Sequence, residues 1–170
     1  MNKINLYIFL LSLSFLCCHP VVENLDLHRF MGRWYVIALI PNWVEEGATN
    51  SYDDYKLNQD GTIDVTYKAI KDGKEQMIKQ KGVVVDKNIP SRWEMYFIEP
   101  WIPFYSAPYE VIILDQDYEY MVVGYPDNSY GWIMSRKTSV KNQVYNDILN
   151  SLEKDFGYNK KDFKKVIHNN

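Results

Sequence analysis

A chain of 170 residues is sized for one domain with one core, and its 46% hydrophobic and 24% charged content is that of a globular protein. The formal net charge is −3 and no block of like charges occurs, which argues against the basic surface that nucleic-acid binding needs. With 14 Tyr and 5 Trp, the aromatic content favours strands and an amphipathic binding surface over a helical bundle.

The chain opens on Lys3 and an uncharged apolar run from Ile4 to Cys18, with polar sequence from Glu23 onward. That is the pattern of an export signal over residues 1–18, too short to span a bilayer comfortably, and it leaves a single domain over 19–170. Cys17 and Cys18 are the only cysteines, so the exported domain has no internal disulfide and stands on its core alone. A cysteine at the end of such a run resembles a bacterial lipoprotein processing site, where Cys18 or Cys17 would be acylated. The alternative is an ordinary cleaved signal in which the pair is incidental.

After Asp26 come short alternating segments separated by turn signals. Strands are predicted over Gly32 to Ile40, ended by Pro41-Asn42, and over Thr49 to Leu57, ended by Asn58-Gln59-Asp60-Gly61. Thr62 to Ile70 stops at Lys71-Asp72-Gly73, and Gln76 to Val85 stops at Lys87-Asn88-Ile89-Pro90. Arg92 to Ile98 precedes an apolar loop broken by prolines, Glu99-Pro100-Trp101-Ile102-Pro103. Tyr105 to Leu114, Tyr118 to Tyr125 and Gly131 to Arg136 bring the total to eight strands. One helix is expected, Ser139 to Phe156, with Val140, Val144, Ile148, Leu149 and Leu152 at helical spacing, Ser139 as N-cap and Gly157 as terminator. Eight antiparallel strands and one trailing amphipathic helix are best satisfied by an all-β, up-and-down barrel with the helix packed outside, which leaves no exposed edge. A barrel of that size can hold one small ligand.

Gly32-Arg33-Trp34-Tyr35, preceded by Leu25-Asp26-Leu27-His28-Arg29-Phe30, resembles the first signature of the lipocalin family, Gly-x-Trp behind a short helical turn. Leu114 to Tyr120 resembles the second signature, and Trp132-Ile133-Met134-Ser135-Arg136 the third. The order and spacing of all three make the signal specific. Trp34 to Ala38, Glu45-Glu46-Gly47, Pro103-Phe104-Tyr105 and Gly131 to Arg136 are similar to the bacterial outer-membrane lipocalins and their apolipoprotein D-like and plant relatives. Val36 and Leu39, where those relatives usually carry Glu and Arg, and the Trp101-Ile102 insertion depart from the pattern and bear on ligand identity. The resemblance implies a structural role for Gly32, Trp34 and Arg136, with the guanidinium stacked over the indole at the closed end of the barrel.

Because side chains alternate across a strand, the parity of Trp34 and Arg136, aided by the family's topology, selects an interior face. It places Val36, Ala38, Ile63, Val65 and Tyr67 inside from the first three strands, and Asp53 is counted with them as a ligand-binding residue. Trp93, Met95 and Phe97 follow from the fifth strand, and Val111 and Ile113 from the sixth. Met121, Val123, Tyr125, Trp132 and Met134 complete the lumen from the last two strands. Such an interior suits an acyl chain, with Tyr67, Tyr125 and Asp53 available to orient a head group. At the open end, Trp43, Trp101, Ile102 and Phe104 form an apolar cluster with three competing uses: a lid or port, membrane contact, or a dimer patch.

The expected partner is therefore a small hydrophobic ligand, fatty acid or lysophospholipid, with the outer membrane as a second partner through a lipid anchor and the mouth loops. Periplasmic or secreted protein is the alternative location, and the chain is expected as a monomer or weak homodimer. An enzyme is not expected. His19 lies beside the export signal, His28 in the N-terminal turn and His168 in the tail, so nucleophilic chemistry has no visible base on a barrel strand. The same scarcity argues against a metal site, and no Gly-rich phosphate loop or other cofactor signature occurs. The competing classes are a lipid-metabolising envelope enzyme and an interaction protein that binds no small ligand.

Overall fold

In the computed structural model, which describes residues 19–169, a helical turn α1 (Leu27–Phe30) leads into strand β1 (Gly32–Leu39). Strands β2 (Thr49–Leu57), β3 (Ile63–Lys71), β4 (Lys74–Asp86), β5 (Ile89–Glu99) and β6 (Trp101–Leu114) follow. Then come β7 (Tyr120–Gly124), β8 (Gly131–Ser135), the helix α2 (Asn142–Phe156) and a two-residue strand β9 (Lys164–Lys165). The expected export signal and its Cys17 and Cys18 lie outside the described residues.

Neighbouring strands from β1 through β8 pair antiparallel in chain order, and β1 also pairs with β8, which closes the eight into a barrel. Turn chemistry sets the registers. Between β3 and β4, Asp72 and Gly73 both have positive φ (52° and 72°), the backbone a two-residue hairpin of matching twist requires. Burial on β3 alternates as parity demands, with Ile63, Val65, Tyr67 and Ala69 turned inward.

Four expectations differ from the structure. The helix begins at Asn142, and Ser139 does not cap it; the N-cap position is Lys141, with no side-chain hydrogen bond. The chain stays out of the helix while Val140 packs against the cluster beneath α2. Residues Trp101 to Pro103 are not a loop but the start of β6. The register there skips from Tyr96–Ser106 to Ile98–Trp101, which leaves Pro103 out of the ladder where its missing N–H costs nothing. The short strand β9 has no counterpart among the expected elements. Its backbone fills the gap where β1 and β2 splay apart, pairing Ala38 with Lys165, while Asn50 N–H donates to the Ile167 carbonyl at 2.9 Å.

The fourth difference concerns parity. The register of β1 shifts between Val36 and Ala38, and that of β6 between Val111 and Ile113. Each bulge inserts a residue and sends two successive side chains to the outer face. Ala38 and Ile113, both expected in the lumen, therefore pack outside with Ile37 and Ile112, and Leu39 and Leu114 turn inward in their place. Tyr145, Ile148 and Leu152 of α2 cover this outer face, so the helix buries a surface that the bulges enlarge.

The closed end is sealed by aromatic packing. Trp34 is fully buried, its indole N–H donates to the Phe30 carbonyl at 2.8 Å, and the Arg136 guanidinium lies 3.8 Å from its ring centroid. Arg136 also donates to the carbonyls of Arg33 (2.8 Å), Arg29 (2.8 Å) and Phe30 (3.0 Å), tying the strand end after β8 to α1 and β1. Gly32, at φ +93°, lets the chain turn into β1 beside that guanidinium. Replacing Arg136 with Ala is expected to cost about 2 kcal/mol from the lost cation–π contact and charge-assisted bonds. Urea denaturation checks this, with Arg136→Lys failing to restore stability because a single ammonium cannot reproduce the planar fork.

Candidate functional site

Above the sealed end the interior divides at mid-height. Val36, Ile63, Trp93, Val111 and Met121, all expected to line the lumen, instead fill the lower half solidly with Phe30 and Trp34. Trp93 stacks on Tyr109 (centroids 4.6 Å apart, planes 4° apart), and the Tyr109 and Tyr55 hydroxyls are joined at 2.9 Å. This pair of tyrosines forms a floor.

Above it lies a cavity of about 420 Å³, within the range of small-ligand sites. Asp53, Val65, Tyr67, Met95, Phe97, Val123, Tyr125, Trp132 and Met134 line it as parity expected, and Trp43 and Ile102 stand at its mouth. Trp101 (73% exposed) and Phe104 (fully exposed) lie apart from it, along a shallow groove on the projecting β5–β6 hairpin. Alternation could have supplied six further lining residues: Tyr55 shares a face with Asp53, Tyr105, Ala107 and Tyr109 share one with Val111, and Ile78 and Gln80 stand opposite Tyr67 and Val65. Glu45 and Tyr130 lie in loops that no strand rule reaches.

The loop from β1 to β2 folds inward for local reasons. Asn42 Oδ1 accepts from the backbone N–H groups of Val44 and Glu45 at 3.0 Å each, making a tight turn. Lys71, from the end of β3, donates to the carbonyls of Trp43 (2.8 Å) and Val44 (2.9 Å), so its ammonium is engaged by the loop backbone. The Glu45 carboxylate then accepts from the Asn42 side-chain amide and from the Trp132 indole N–H at 2.9 Å.

Two carboxyls thus line the cavity, and among the described residues no Lys, Arg or His does. Burial raises the Glu45 carboxyl, opposed by its two donors. Asp53, whose one side-chain donor is the Tyr55 hydroxyl at a long 3.4 Å, is pushed up to about 8 by burial and by repulsion from Glu45. The same burial holds the phenols of Tyr55, Tyr67 and Tyr109 above their ordinary range, so they stay protonated as hydrogen-bonding groups. Among the described residues no three His, Cys, Asp or Glu side chains gather as a metal site.

Between the ordinary carboxyl value of 3.8 and about 8, the folded protein holds a proton on Asp53 that the unfolded chain releases. This group's contribution to stability therefore falls as pH rises through that window and levels off above it. Carbon NMR of the Asp53 carboxyl is expected to titrate near pH 8, and Asp53→Asn to flatten the stability slope. A midpoint in the ordinary carboxylate range contradicts the assignment.

The family described as "Lipocalin-like domain" matches residues 25–168. Temperature-induced lipocalin-1 of Arabidopsis thaliana is 31% identical over 134 residues, covering 76% of this chain and 72% of that protein. Outer membrane lipoprotein Blc of Citrobacter freundii is 33% identical over 129 residues, again 76% and 72% of the two chains. Among solved structures, insecticyanin from the tobacco hornworm Manduca sexta superposes with a TM-score of 0.67 at 18% identity, covering 88% of this chain and 85% of that one. At that identity the likeness is one of fold. The sealed indole end, the closed eight-strand barrel, the outer helix and the family match over nearly all the described residues agree: this chain belongs to the lipocalin family.

Proposed function

We propose that this protein binds one small hydrophobic ligand with a single acyl chain, a fatty acid or a lysophospholipid, in the upper half of the barrel, for storage or transport. The family's members are binders of small hydrophobic ligands. The observation that carries the reading is the cavity of about 420 Å³ left unfilled above the Tyr55–Tyr109 floor. Each buried methylene contributes about 0.8 kcal/mol, so a chain of a dozen supplies roughly 10 kcal/mol before ordering costs are subtracted, enough for micromolar affinity.

The reading extends to location: an exported protein held at the outer membrane by a lipid on Cys18 or Cys17. Support comes from the apolar run that ends at those cysteines and from the relatives named outer membrane lipoprotein. One lipid chain usually needs a second attachment, and the exposed Trp101 and Phe104 of the β5–β6 hairpin have the chemistry to dip into a leaflet.

Titration with a fluorescent acyl probe is expected to give saturable single-site binding with Trp132 quenched, at a Kd of about a micromolar or tighter. Ala107→Trp, which fills the cavity from a half-buried wall position, should weaken binding about tenfold or more without changing the barrel's circular dichroism. An unsaturable signal, or equal affinity in the filled variant, contradicts the proposal. Replacing both Cys17 and Cys18 with Ser is expected to move the protein from the membrane fraction to the soluble one; retention in the membrane contradicts lipid anchoring.

A further inference from the structure

The charge on the cavity wall narrows the ligand further than its apolar volume does, provided the carrier reading holds. Glu45 and Asp53 both reach the cavity, and among the described residues its lining includes no Lys, Arg or His. Lys71, the cation at the end of β3 that holds the mouth loop, is already engaged by the Trp43 and Val44 carbonyls. Asp54, the next carboxylate along β2, is paired with Arg33 at 2.8 Å on the outside of the barrel. No described cation inside therefore compensates an incoming anion, and a carboxylate head would lose its water beside two carboxyls and gain no counter-charge.

A cation meets the reverse. Glu45 holds its carboxylate toward the lumen through neutral donors, Asn42 and Trp132, so its charge is oriented but not cancelled. Asp53 makes one long side-chain hydrogen bond, which leaves most of its acceptor capacity for a guest. Aromatic faces stand beside them. Tyr130 stacks on Trp132 (6.2 Å, 27°) and meets Tyr125 edge-on (5.2 Å, 89°), and all three line the cavity. Carboxylates with indole and phenol faces are the groups that recognise ammonium heads. The acidic groups come from β2 and from the loop after β1, whereas β5 and β6, across the barrel, present Met95, Phe97, Ile102 and Ala107 to a tail.

We infer that the pocket selects a single-chain amphiphile whose head carries an ammonium group, and discriminates against one that ends in a carboxylate. An alkylammonium and a zwitterionic lysophospholipid share this head chemistry. Proton balance follows from the wall. At neutral pH the empty pocket holds a proton on Asp53, and an entering cation displaces it to the buffer, leaving the carboxylate as its counter-ion. Affinity for the ammonium head therefore climbs with pH until Asp53 is ionised in the free protein, and affinity for a carboxylate head falls over the same range. Glu45, the protonated phenols of Tyr55, Tyr67 and Tyr109, and Asp54 acting from the outer face of β2 are the other titratable groups that bear on Asp53.

The experiment is isothermal titration of the purified protein with three probes of equal tail below their micelle concentrations: dodecyltrimethylammonium, lauroyl-lysophosphatidylcholine and laurate. It is run from pH about 6 to about 9 in two buffers of different ionisation heat, which reads the released proton. One or both ammonium probes are expected to bind about tenfold or more tighter than laurate near pH 8, with proton release that vanishes above it. Binding of both assigns the zwitterionic lipid head, and binding of dodecyltrimethylammonium alone assigns a simple amine. Asp53→Asn should abolish the proton release and narrow the gap, and Glu45→Gln should narrow it further, with circular dichroism reporting that each variant is folded. Laurate binding as tightly as the ammonium probes overturns this inference and leaves the carrier reading standing. If none of the three saturates, the carrier reading itself fails.

Discussion

The barrel exists because β1 pairs on both sides, and the pairing is pinned by one contact, the Arg136 guanidinium lying on the buried Trp34 indole. Arg136 follows β8 and Trp34 stands in β1, so the contact staples the last strand to the first where the sheet closes. Its three backbone acceptors come from α1 and the start of β1, so the N-terminal turn is drawn under the barrel as its lid. The stack satisfies a buried indole and a partly buried cation at once, which neither could do alone without a desolvation cost. A closed sheet also has no free edge for another chain to join.

From that sealed end the interior changes character with height. Large side chains from α1, β1, β5 and β7 fill the lower half, and stability resides there, because an empty volume between Trp34 and Met121 would forfeit contacts on every side. The Trp93–Tyr109 stack and the Tyr55–Tyr109 hydroxyl pair end the solid region. Above them the strands of β4, β5 and β6 continue, yet the side chains do not meet across the lumen. The protein is thus stable in one half and receptive in the other. The carboxyls of Glu45 and Asp53 belong to the receptive half, where burial raises both and no cation answers them.

Most of this architecture is legible in the residues. Eight strands, the outer helix and its Gly157 stop, and the Trp34–Arg136 pair follow from alternation, helical spacing and signature order, because each is a local pattern with a direct physical cause. What alternation misjudges is what breaks it. Ala38 and Ile113 sit one residue past a bulge, a backbone irregularity that leaves no mark in composition, so strict parity sends them to the wrong face. Depth is equally silent: Val36 and Met134 share a face and a register pair, yet one is in the plug and the other lines the cavity. Glu45 enters the site from a loop, where its position depends on Asn42, Lys71 and Trp132 together. β9 is only two lysines long, and it forms because β1 and β2 diverge, a fact of three dimensions.

The central claim is that the upper half of this barrel is a receptor and the lower half a plug. A crystal structure of the protein grown with a lysophospholipid tests it most directly. Continuous density for one acyl chain is predicted above the Tyr55–Tyr109 floor, between Met95 and Trp132, with Trp34, Trp93 and Met121 unmoved beneath it. A cavity collapsed by its own side chains, or lipid found only on the outer hairpin at Trp101 and Phe104, would contradict it.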